Sequence, residues 1–167
     1  GHPSVHWQHK ETCNGEQFNL GGWCSDRRKE WKKGKLSTAR IAALDAYGFL
    51  WDLYEAKYQH GLAAFRQFVE REGYPRVPDG YKGPFRGEEC NLGDWCAHRR
   101  KERKEGKLST ERIDALDAHR FDWHPHETNF ERGRAALAQF LQKEGHTRMP
   151  AKHTVMFEGE DFALGRW

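Results

Sequence analysis

The sequence predicts an all-α chain of tandem small three-helix bundles with a 72-residue repeat. Three observations carry that expectation. Residues 20–51 (LGGWCSDRRKEWKKGKLSTARIAALDAYGFLW) lie over residues 92–123 (LGDWCAHRRKERKEGKLSTERIDALDAHRFDW) with 22 of 32 positions identical and no gap. Apolar residues within each copy recur at helical spacing. The composition is polar but rich in rings, with 37% hydrophobic, 32% charged and 13% aromatic residues. A disordered chain lacks such rings, so several small aromatic cores are expected rather than one large core.

The same offset runs beyond the block. Phe68 meets Phe140, Gly73 meets Gly145 and Pro78 meets Pro150. Gly15, Gly87 and Gly159 align, as do Leu20, Leu92 and Leu164, and Trp23, Trp95 and Trp167. The phase divides the chain into a C-terminal part of a unit (1–51, helices 2 and 3), a complete unit (52–123), and an N-terminal part of a third (124–167, helix 1 and the start of helix 2). This phase predicts a fragment of a longer array, with any catalysis of the whole protein outside it.

Helix 1 of the complete unit is expected over about 54–72, where Tyr58, Leu62, Phe65, Phe68 and Val69 form a stripe. Phe130, Leu137, Phe140 and Leu141 are the counterparts, and Gly73 and Gly145 stand where a helix end takes a left-handed residue. The segment YPRVPDGYKGPFRGEEC follows and reads as a wrapped loop whose Val77 and Phe85 plug the core. Helix 2 is expected over about 91–105, capped by Asn91, with Leu92, Trp95, Cys96 and Arg99 on one face. Gly34 and Gly106 end this helix in the two copies. Helix 3 starts at the Ser37 or Ser109 cap and turns Ile41 and Leu44, or Ile113 and Leu116, inward. Phe121 and Trp123 then fold back onto the bundle. Domains of about 70 residues are marginal alone, so stacking between units is one way to gain stability.

Several classes are excluded or disfavoured. No apolar run approaches the roughly 20 residues that a membrane span needs, and His2, His6, Trp7 and His9 interrupt the start where a secretory signal would lie. Four cysteines without a CxxC pair fit a reducing compartment. Cys13 aligns with Phe85 and Cys90 with Phe18, which reads as apolar filling rather than metal ligation. The histidines do not repeat, apart from His2 and His146, so no metal site is expected. No phosphate-binding loop, GxSxG or HExxH is present, and GKLST lacks the upstream glycine and strand of a phosphate loop. Asp45 and Asp117 recur without a partner that would perturb them and read as surface residues. No catalytic residue and no cofactor is therefore expected.

The chemistry-bearing feature is a repeated basic cluster. The net charge is only +3, but each ten-residue stretch (26–35 and 98–107) carries six cations against two acids. The expected nucleic-acid contacts are Arg28, Lys29, Lys32, Lys33, Lys35 and Arg40 in the first copy, and Arg100, Lys101, Arg103, Lys104, Lys107 and Arg112 in the second. A cationic helix end followed by a capped helix N-terminus offers phosphates both charge and backbone N–H groups. Arg27 and Arg99 read as inner-face residues packed beside Trp, and Trp23 and Trp95 as core rather than base-stacking rings. A protein-interaction or structural role in a larger assembly is the alternative.

Taken together, the pattern is a helix with spaced aromatics, then G-x-x-R-V/M-P, L-G-x-W, x-x-R-R-K-x-x-K-x-G-K-L-S, x-R-I-x-A-L and F-x-W. It resembles the helicase-associated domain, which follows the motor of certain bacterial DEAD/DEAH-type helicases in tandem copies and forms arrays in some algal proteins. The resemblance covers essentially the whole chain. It implies a three-helix accessory unit that binds nucleic acid, with DNA favoured over RNA. It also implies a helicase motor in the same full-length chain or in a larger complex, and an intracellular setting: cytoplasm or nucleoid if bacterial, nucleus or organelle if algal. Family members commonly carry Gln-Arg where this chain has Arg27-Arg28 and Arg99-Arg100, and often Pro where Thr38 and Thr110 stand. The first departure makes these copies more basic; the second leaves the helix start intact.

Overall fold

Three pairs of adjacent residues take positive φ: Asn14 and Gly15, Arg86 and Gly87, and Glu158 and Gly159. Two consecutive left-handed residues make the primed turn that matches the twist of a β-hairpin, and each pair closes one. The computed structural model describes residues 8–167. His2, His6 and Trp7, and with His2 its alignment with His146, lie outside the described residues. The hairpins are β1 (Glu11–Cys13) with β2 (Glu16–Phe18), β3 (Gly83–Phe85) with β4 (Glu88–Cys90), and β5 (Val155–Phe157) with β6 (Glu160–Phe162). Each is antiparallel and two-stranded, with Glu11 opposite Phe18, Gly83 opposite Cys90 and Val155 opposite Phe162.

These hairpins overturn the all-α, three-helix-bundle expectation: the chain mixes helix and strand. The segment read as a loop contains the strands because a long connection must pair its backbone groups as it crosses a core. Val77 and Phe85, the expected plugs, are buried within it.

The helices fall close to their expected places. They are α1 (Leu20–Lys32), α2 (Thr38–Asp45), α3 (Leu53–Glu72), α4 (Leu92–Lys104), α5 (Thr110–Asp117) and α6 (Pro125–Glu144). A 3-10 turn, Leu164–Arg166, stands where the third copy was expected to start its helix 2. Asn19 and Asn91 cap α1 and α4 by accepting from the N–H of Gly22 and Asp94. Ser37 caps α2 in the same way, whereas Ser109 makes no such bond to α5. At the end of α4, the N–H of Gly106 bonds Arg103 O and that of Lys107 bonds Glu102 O. Gly34 and Lys35 repeat both bonds to Trp31 and Glu30 at the end of α1. This paired closure satisfies carbonyls that a helix end would otherwise orphan, and explains the fixed G-K step.

The chain divides into two compact units, Gly1–Ala64 and Phe65–Trp167, with the division inside α3. In the first, all six strand residues are exposed, Cys24 and Leu36 are buried, and Trp31, Phe49 and Trp51 form an aromatic stack. In the second, Phe65 meets Phe121 edge-on with ring centres 5.2 Å apart, and Phe68 meets Tyr74 and Tyr81. Leu92, Cys96, Leu108 and Leu116 are buried there. Farther along, Ala136 and Phe140 of α6 form a cluster with Phe157, Phe162 and Leu164. Glu158, at the third hairpin turn, is held by Arg132 at 3.2 Å and Arg76 at 3.5 Å.

The glycine of L-G-x-W has a steric duty. Gly93 N–H bonds Tyr81 O at 2.9 Å. A methyl group there would lie 2.5 Å from Tyr81 N and 2.7 Å from Gly80 N, both backbone atoms. Gly93→Ala should therefore lower stability by about 1–3 kcal/mol, the cost of forced overpacking. Gly22→Ala meets only the Asn19 side chain, at a position where the second copy carries Asp94, and should cost much less. Urea denaturation of the two variants checks this, and equal midpoints would refute it. A second comparison concerns α5. It is followed by Arg120 at φ 54°, where α2 is followed by Gly48 at φ 67°. A left-handed arginine is strained, so Arg120→Gly should stabilise by about 0.5–1 kcal/mol after the added freedom of the unfolded chain is counted, read as a higher urea midpoint.

Candidate nucleic-acid interface

The expected contact residues lie on the C-terminal halves of α1 and α4, on the turns that follow and, for Arg40 and Arg112, in the first turns of α2 and α5, and the structure gives them different duties. Arg99 is 6% exposed, sits 5.4 Å over the Trp95 ring and pairs with Glu102 at 3.1 Å. Arg27, half-buried, repeats both contacts with Trp23 at 5.5 Å and Glu30 at 2.9 Å. Their neighbours also turn toward protein. Arg28 Nε donates to Leu50 O at 2.7 Å, with its guanidinium 4.7 Å over Phe49. Arg100 Nε donates to Asp122 O at 2.8 Å, 5.3 Å over Phe121. The double arginine thus ties each helix to its own core and to the chain after the next helix.

The lysines carry the outward charge. Lys32, Lys33, Lys35 and Lys104 are exposed and make no ion pair among the described residues. Lys29 pairs with Asp26 at 3.1 Å, and Lys101 reaches Glu105 at 3.9 Å. Lys107 meets Glu105 at 2.8 Å; this hydrogen-bonded contact holds the Glu105 carboxyl below its ordinary range and raises the Lys107 ammonium. Arg40 is exposed in the first turn of α2, and Arg112 is half-buried and engaged. Arg103 lies 4.3 Å over Trp123.

In the second unit four of these residues come together. A groove of about 1170 Å³ is lined by Arg100, Lys101, Arg103 and Lys104 of α4. Trp123, His124 and His126, at the start of α6, form another part of its wall, and Asp79 and Gly80 a third. Asp94, in the first turn of α4, and Glu127 add two further carboxylates, so the cationic character is concentrated at the C-terminal half of α4. Lys107 and Arg112 are not among the lining residues.

Sequence reasoning missed the support beneath this surface. Asp117 and Asp45, read as plain surface residues, accept hydrogen bonds from the indole N–H groups of Trp123 and Trp51 at 2.5 and 2.7 Å. Their signal was present as an aspartate six residues before tryptophan in both copies. His124 and His126 gave no repeated pattern to find them by. Among the described residues, no group of three or more His, Cys, Asp or Glu side chains could hold a metal ion, and no helix is long and apolar enough to cross a membrane.

A basic helix, braced by arginine against an aromatic core, thus occurs twice in the chain. The sequence model of the helicase-associated domain matches residues 1–52 and 55–124. The chain belongs to the helicase-associated domain family. It is an accessory region of the kind associated with helicases. No curated protein and no solved structure matches it.

The thiols give a check on the packing beneath α4. Cys13 is exposed, Cys90 half-buried, and Cys24 and Cys96 buried. Burial pushes the Cys96 thiol up to about 12 and also raises Cys24 and Cys90. Since the thiolate is the reactive form, alkylation at mildly alkaline pH should label Cys13 first and leave Cys96 untouched until the chain unfolds. Peptide mass mapping reads the order. Native Cys96 labelled as fast as Cys13 would contradict the packing of α4.

Proposed function

We propose that this chain grips the phosphate backbone of nucleic acid, DNA in the first instance, as a non-catalytic accessory to a helicase motor. The motor would lie in the same full-length chain or in a larger complex, and the setting would be intracellular, where such a motor meets its substrate. The observation that carries this reading is the groove in which Lys101, Arg103 and Lys104 line one wall. The exposed lysines after α1 supply a second cationic surface. Such cations reach phosphates more readily than base edges, so binding is weakly specific and salt-dependent.

Fluorescence anisotropy with labelled DNA and RNA across a salt series tests it. The double variant Lys101→Glu, Lys104→Glu should lose at least about tenfold in affinity, and its log–log salt slope should flatten by about 1.5–2, as expected for two lost phosphate contacts. Circular dichroism should stay at the wild-type value. Unchanged binding by a normally helical double variant would remove α4 as the contact surface.

A further inference from the structure

The two copies differ at position 31 and its counterpart 103, which are Trp and Arg. Both side chains cover the same indole. Trp31 stacks on Trp51 with ring centres 5.4 Å apart and planes 28° from parallel. Arg103 lies 4.3 Å over Trp123. Packing at this position therefore does not demand a tryptophan. Yet Trp31 remains 37% exposed, and its one ring partner among the described residues is Trp51.

The platform beneath it is rigid. Trp51 is fixed by its N–H bond to Asp45 at 2.7 Å and by Phe49 edge-on at 4.6 Å. Trp31 is the penultimate residue of α1, and Lys32, Lys33 and Lys35, all exposed and without an ion pair among the described residues, follow it directly. A flat aromatic face held in advance, with cations beside it, pays little ordering cost on binding. Its chemistry suits an unpaired base stacked on the indole, with the neighbouring phosphates on lysine. A duplex offers base faces only at its ends.

We infer that Trp31 is a base-stacking platform and that the first copy engages single-stranded nucleic acid. This rests on the proposed backbone-gripping function and narrows its substrate. The test compares an oligothymidine strand with a blunt duplex of the same length, by anisotropy, for wild type, Trp31→Ala and Trp31→Arg. The arginine variant carries the second copy's own solution for covering the indole, so its thermal melt should stay near wild type. Either variant should lose roughly tenfold in affinity for the single strand while holding or gaining affinity for the duplex. The arginine result is the sharper one, because added charge alone would tighten both ligands. An unchanged single-strand to duplex ratio in folded Trp31→Arg overturns the stacking platform and leaves the backbone reading standing. Wild type binding neither ligand at low salt overturns both.

Discussion

One backbone hydrogen bond sets the geometry of each copy. The glycine N–H at the start of the basic helix, or of the 3-10 turn in its place, reaches a carbonyl twelve residues earlier: Gly21 to His9 at 3.0 Å, Gly93 to Tyr81 at 2.9 Å, and Gly165 to His153 at 2.9 Å. The first N–H groups of a helix have no partner inside it. Giving one of them to the preceding connection pins both ends of the hairpin that lies between. In the second copy that connection supplies Asp79 and Gly80, which form one wall of the groove, while α4 supplies the cationic wall. The groove exists because Gly93 lets the two backbones approach.

The arginines determine how much of the basic charge faces outward. Successive residues on a helix point about 100° apart, so a double arginine cannot place both guanidiniums on one face. Here the first enters the core beside Trp and Glu, and the second reaches across to the chain after the next helix. Arginine suits both places, since its planar group stacks on rings while it donates. A run that counts six cations in sequence therefore presents mainly lysine to solvent. A buried ion pair such as Arg99 with Glu102 adds little net stability after desolvation, so its value is in fixing the orientation of α4.

The helices were legible from different signals: α3 and α6 from a long apolar stripe closed by glycine, and the shorter helices from a polar residue at the start and a few inward-facing apolar positions. Leu92, Cys96 and Leu116 are buried where their spacing put them, and Asn91 caps α4. The hairpins were not legible, for a physical reason. Three-residue strands are too short to show alternation, and two of the three turns place Arg86 and Glu158, not asparagine, at positive φ. Asn14-Gly15 was the one strong hairpin signal, and the repeat would have carried it to the other copies. The groove was legible only on its α4 side. Trp123, His124 and His126 reach it through the chain reversal after α5, which local periodicity does not encode.

The identities that change between copies act on a fixed frame. Position 33 is Lys in the first copy, and its counterpart 105 is Glu in the second. Glu105 draws Lys101 and Lys107 into ion pairs. Lys33 leaves Lys35 without an ion pair among the described residues. One exchange thus shifts the local charge by two units and changes how the neighbouring lysines are engaged, while the helix closure around it stays the same. Exposed pairs of this kind contribute little to stability, so folding does not constrain the choice. Charge at this turn is therefore free to vary between copies, and the first copy is the one that leaves Lys32, Lys33 and Lys35 without an ion pair among the described residues beside a partly exposed indole.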